Sequence, residues 1–68
     1  MHLAIQSEQE EDSRWLAEVL ELPGVLAYGQ TREEAIVKVK ALALRVLADQ
    51  LEHGESASDL EGVYFIAA

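Results

Sequence analysis

Apolar and polar residues fall into blocks along this chain. Leu3 to Gln6 is a short apolar run, Ser7 to Ser13 is polar and acidic, and Arg14 to Leu22 is apolar again with Glu18 at its centre. That order predicts a strand, an exposed acidic turn and a second strand, joined as a hairpin with a longer loop. Side chains alternate along a strand, so Trp15, Ala17 and Val19 share one face and Leu16, Glu18 and Leu20 the other. A lone carboxylate is costly to bury. The Trp15 face is therefore expected to meet the core. The Glu18 face is expected to be open or covered by a partner.

Leu22-Pro23-Gly24-Val25 holds the single proline. Proline presets φ for the second position of a turn and glycine tolerates the positive φ that follows. A tight turn into a third strand, Val25 to Tyr28, is expected, with Gly29 ending that strand. Thr31-Arg32-Glu33-Glu34 then matches a capping box, with Thr31 as N-cap and Glu34 at the third helical position. Glu33 and Glu34 also suit the positive end of the helix dipole. Good helix formers continue to Gly54, placed as the stop. The helix should span about residues 32–53, with His53 in its last turn.

That helix has two apolar stripes. Ala35, Ile36, Val39, Leu42, Ala43, Val46 and Leu47 recur at helical spacing. Val37, Ala41, Leu44, Ala48 and Leu51 form a second stripe beside the first, with Lys40 at the border, long enough to reach solvent. A helix lying on a sheet needs one stripe. Alanines in the second are accounted for by helix propensity, but Val37, Leu44 and Leu51 imply a second contact. Glu55 to Glu61 is a polar connector, and Gly62 precedes a last apolar strand, Val63 to Ala68. The order βββαβ predicts an α+β domain, a small four-stranded sheet with one long helix on one face.

With 68 residues the chain has room for one domain, 1–68. A domain of this size buries only roughly 60% of its unfolded surface, and small domains add disulfides, a metal or a partner subunit. Cysteine is absent, which excludes disulfides, thiolate metal sites and a cysteine nucleophile. A partner or a second copy is the remaining support, and a homo-oligomer, dimer or tetramer, is expected. Leu16, Leu20, Val37, Leu44 and Leu51 are the candidate contact residues.

The chain carries 13 acidic and 5 basic residues, a formal charge of −8. Such a field repels phosphates, so direct nucleic-acid binding is not expected, and it speeds encounter with a basic protein. No apolar run approaches the roughly 20 residues of a membrane span. The first residues lack the basic end and apolar stretch of a signal peptide, so the chain reads as cytoplasmic. The four glycines are scattered and the two histidines, His2 and His53, lie far apart, so neither a phosphate loop nor a nucleophilic triad is present. Glu8, Glu10, Glu11 and Asp12 lack the spaced ligands and glycine of a calcium loop. No catalytic residue, cofactor or metal is expected, and the chain is not read as an enzyme.

The run from Arg14 to Ala35, RWLAEVLELPGVLAYGQTREEA, resembles the core signature of the HicB antitoxin family. That signature is an aromatic strand, a Leu-Pro-Gly turn, a short strand, then Gly-x-Thr-x-Glu-Glu-Ala opening a helix. Trp15, Pro23, Gly24, Gly29, Thr31 and Glu34 carry it here, and the similarity extends from Leu3 to about Gly54. Leu20 stands where the family often has proline. The resemblance implies a partial ribonuclease-H-like fold with the fourth strand beside the first. It also implies an antitoxin that neutralises a small basic HicA-type toxin ribonuclease by direct binding. Longer members add a C-terminal DNA-binding segment that represses their operon; this chain stops after the fourth strand, so that activity is not expected. The ribonuclease H carboxylates are not recognisable, Glu18 being a lone acid. The alternative is a self-associating structural or interaction domain with no toxin partner.

Overall fold

A computed structural model describes residues 1–54 and 62–67. The elements are β1 (His2–Gln9), β2 (Trp15–Val19), β3 (Leu26–Gly29), α1 (Arg32–Glu52) and β4 (Tyr64–Ala67). The strands form one mixed sheet in the order β3-β2-β1-β4, antiparallel except for the parallel β1–β4 pair. With α1 on one face this is the expected βββαβ α+β domain, and β4 lies beside β1.

Element boundaries shift where pairing overrides local composition. β1 runs on to Gln9, which sits opposite Trp15, so the acidic turn is shorter than the Ser7–Ser13 block. Its carboxylates tolerate a ladder because Glu8 is exposed. The hairpin closes through Ser13 N–H to the Glu10 carbonyl (3.0 Å) and Glu10 N–H to the Arg14 carbonyl (2.7 Å), with Ser13 at φ 76°. This is a type I turn followed by a left-handed residue, the usual three-residue hairpin.

β2 stops at Val19 rather than Leu22. Leu22 N–H turns back to the Val19 carbonyl (3.2 Å) and Val25 N–H to that of Leu22 (3.0 Å), with Gly24 at φ 83° as expected after Pro23. β3 begins one residue late, at Leu26, because buried Val25 gives its N–H to the Leu22 carbonyl and keeps only one bond across to β2, its carbonyl accepting the Val19 N–H (3.0 Å). The Glu21 carboxylate takes the Ala4 N–H at 2.8 Å, continuing the ladder past the end of β2. β4 begins at Tyr64, one residue after the expected Val63, and the connector 55–61 and Ala68 lie outside the described residues.

α1 starts where the cap predicts. Thr31 Oγ1 accepts the Glu34 N–H at 3.1 Å. The reciprocal bond differs from a capping box: the Glu34 carboxylate accepts from Gln30 N–H (3.2 Å), one residue before the cap. The helix ends at Glu52, with His53 as C-cap and Gly54 at φ 74°. His53 Nδ1 lies 2.8 Å from the Asp49 carbonyl.

The core lies between α1 and the sheet. Leu3, Ile5, Ala17, Val19 and Val25 meet Ala35, Ile36, Val39, Ala43 and Leu47, with half-buried Trp15, Leu42, Val46 and Phe65 around them. The expected Trp15/Ala17/Val19 face is thus the core face. Lys40 extends over the Phe65 ring, 5.8 Å from its centroid. Gly29 has a role beyond ending β3. A Cβ there would stand 2.6 Å from the Ala35 backbone nitrogen and 3.0 Å from the Glu34 carbonyl carbon. The first turn of α1 crosses β3 closely enough to require glycine.

Candidate functional site

Two apolar faces are left uncovered by the described residues, one on each side of the molecule. Across the sheet, partners in register point the same way. Leu16 lies opposite Tyr28 and Glu8, Glu18 opposite Leu26 and Gln6, Ala4 opposite Ile66, and His2 opposite Tyr64. These residues stand on the face away from α1. Leu20, Leu26, Tyr28, Tyr64 and Ile66 are exposed there, while Leu16 and Glu18 are half-buried. His2 and Tyr64 rings pack with centroids 5.1 Å apart.

The charge on this face is acidic. Arg14 is tied to Asp12 at 2.7 Å and lies 4.5 Å over the Tyr28 ring, leaving Glu8 and Glu18 to set the sign. The Arg14 backbone N–H and guanidinium, both bonded to Asp12, hold its carboxyl below the ordinary value of 3.8. On the helix side, Arg32 Nε donates to Ser7 Oγ at 3.0 Å and ties the first turn of α1 to β1. Glu34 is held below 4.5 by the hydrogen bond from Lys38 and then by the Gln30 N–H.

The second face is the outer side of α1. Val37 is 65% exposed, Leu44 51% and Leu51 46%. The five expected contact residues therefore divide: Leu16 and Leu20 on the sheet, Val37, Leu44 and Leu51 on the helix. They form no single site. Trp15 and Tyr28 also separate, Trp15 toward the core and Tyr28 on the open face, so they make no joint stacking platform. Of the signature residues, Pro23, Gly24, Gly29, Thr31 and Glu34 act in the turn, the close crossing and the cap described above.

Leu26, Tyr28, Tyr64 and Ile66 were not among the expected contact residues. The alternation Tyr64-Phe65-Ile66 is the signal that marks the two in β4. It becomes readable only once Leu3 is known to sit opposite Phe65.

The hollow lined by Gln6, Ser7, Glu8, Leu16 and Glu18 holds about 70 Å³, far below the roughly 300–1,000 Å³ of a small-molecule pocket. Among the described residues no three His, Asp or Glu side chains converge as a metal site, and no helix is long and apolar enough to cross a membrane. What the geometry offers is surface: an acid-studded apolar sheet face and an apolar helix face. No family model, curated protein or solved structure matches this chain.

Proposed function

We propose that this chain is a HicB-like antitoxin module that binds a small basic HicA-type toxin ribonuclease in the cytoplasm and neutralises it by contact, with no catalysis or nucleic-acid binding of its own. The observation that carries the reading is the open sheet face, where exposed Leu20, Leu26, Tyr28, Tyr64 and Ile66 share one surface with Glu8 and Glu18. An apolar patch with carboxylates set into it fits a basic protein surface. The apolar side chains supply burial, and the charge supplies on-rate and selection of partner. The resemblance over Arg14–Ala35 supplies the class of partner.

The test is inhibition of a small basic HicA-type ribonuclease by the purified protein. The expected result is stoichiometric inhibition with an association rate that falls as salt rises. Glu8→Lys with Glu18→Lys should weaken binding at least about tenfold, since each removes an attraction and adds a repulsion. Full ribonuclease activity in the presence of excess protein, or micromolar affinity for duplex RNA or DNA alone, would overturn the reading.

The second reading, a self-associating domain without a toxin, draws on Val37, Leu44 and Leu51, which the sheet does not cover.

A further inference from the structure

Val37, Ala41, Leu44, Ala48 and Leu51 follow one another in steps of four, three, four and three residues. That is the spacing of a coiled-coil seam, not merely of an apolar sector. Its core-facing counterpart is occupied by the sheet, so the seam lies on the outside of α1. Val37, Leu44 and Leu51 take one seam position and the two alanines the other. The seam spans two heptads, about 21 Å of helix at 1.5 Å per residue.

Charge selects the occupant. Within Arg32–Glu52 there are four cations, Arg32, Lys38, Lys40 and Arg45, and four carboxylates, Glu33, Glu34, Asp49 and Glu52. The helix is neutral, so the whole formal −8 resides in the rest of the chain. The sheet layer and its turns hold Glu8, Glu10, Glu11, Asp12, Glu18 and Glu21 against Arg14. A basic partner is drawn to that layer, not to the helix. The neutral outer face of α1 is where two copies approach with least repulsion.

Charge also selects the direction. Lys38 flanks the first half of the seam and Glu52 the second, on the same side. If two helices run antiparallel with Leu44 on the two-fold, each Lys38 faces the Glu52 of the other copy. Arg45 falls near the axis, long enough to turn toward Asp49 one turn on. A parallel pair instead leaves each Lys38 two heptads from the Glu52 of the other copy and aligns the two helix dipoles.

We infer that α1 is a homodimerisation helix, pairing with a second copy antiparallel about Leu44 through the Val37–Leu51 seam. This takes from the second reading its self-association, not its lack of a toxin, and leaves the open sheet face to a basic partner. The interface is small, so association is weak and concentration-dependent.

The chain has no cysteine, so single cysteines report the geometry directly. Sedimentation first measures whether mass rises toward a dimer with concentration. Leu44→Cys should then form an intermolecular disulfide with itself under mild oxidation. Val37→Cys and Leu51→Cys should each cross-link poorly alone and well when mixed. Leu44→Glu should weaken dimerisation at least about tenfold while helical circular dichroism is kept, because Leu44 is already half in solvent. Efficient self-cross-linking of Val37→Cys and of Leu51→Cys would show a parallel pair and overturn the inference. A dimer that resists Leu44→Glu and cross-links through Leu20→Cys would place self-association on the sheet, sparing self-association itself and sinking the helix seam. A monomer at every concentration would remove both.

Discussion

Replacing Gly29 by alanine tests how closely α1 is held against β3. The added Cβ would lie 2.6 Å from the Ala35 nitrogen and 3.0 Å from both the Glu34 carbonyl carbon and its Cβ. Ordinary contact begins near 3.5 Å, so the crossing must open by roughly 1 Å. Two of those atoms are helix backbone and have no rotamer to change. Ala35 is fully buried and Ile36 and Val39 follow it into the core, so the first turn cannot back away without loosening them. Overpacking of this kind costs about 1–3 kcal/mol, and the rigid neighbours put Gly29→Ala near 3. A domain of this length has about 3–10 kcal/mol in total, so the loss is a large part of it. Urea unfolding followed by fluorescence of the single tryptophan, Trp15, reads the effect. With a slope of about 1 kcal/mol per molar, the midpoint should fall by about 3 M, or the variant should be unfolded from the start. A midpoint within about 0.5 M of the parent would show that the helix shifts freely and that the close crossing is not a constraint.

Gly24→Ala isolates backbone strain, because φ is 83° and no atom lies within 4 Å of the added Cβ; it should cost about 1 kcal/mol in the same urea titration. Ser13→Gly should stabilise by about 1 kcal/mol, since Ser13 occupies the left-handed region at φ 76°; an unchanged melting temperature would refute this. Thr31→Ala should lose about 1 kcal/mol of thermal stability by leaving the Glu34 N–H without its acceptor; a variant that keeps full stability but loses partner binding would show that Thr31 is a contact residue instead. Glu34 has its carboxyl lowered from 4.5 in the folded chain by Lys38 and Gln30. Its contribution is therefore present above about pH 4.5 and fades as pH falls through the lower folded value. Acid unfolding of Glu34→Gln should accordingly be flatter below pH 4.5 than that of the parent, and identical acid limbs would contradict the bonds drawn to this carboxylate.

What could be read from the residues in order was what neighbours decide. Thr31 accepts a bond from a residue three positions on, Pro23 and Gly24 set each other's dihedrals, and Gly54 ends a helix by its own φ. Alternation along β2 likewise put Ala17 and Val19 in the core and Leu20 outside. The helix and its two stripes, the hairpin and the order βββαβ follow from such short-range rules. Tertiary structure decided the rest, because each remaining feature depends on atoms far apart in the chain. β1 reaches Gln9 only because Trp15 sits opposite it, and Tyr64 and Ile66 share the open face only because β4 pairs in parallel with β1. Gly29 looks like the end of a strand until α1 crosses 2.6 Å from where its Cβ would be. Leu20 and Leu44 are exposed leucines of similar standing in the sequence. The sheet, by taking one face of the helix and offering one of its own, sets them on opposite sides of the molecule.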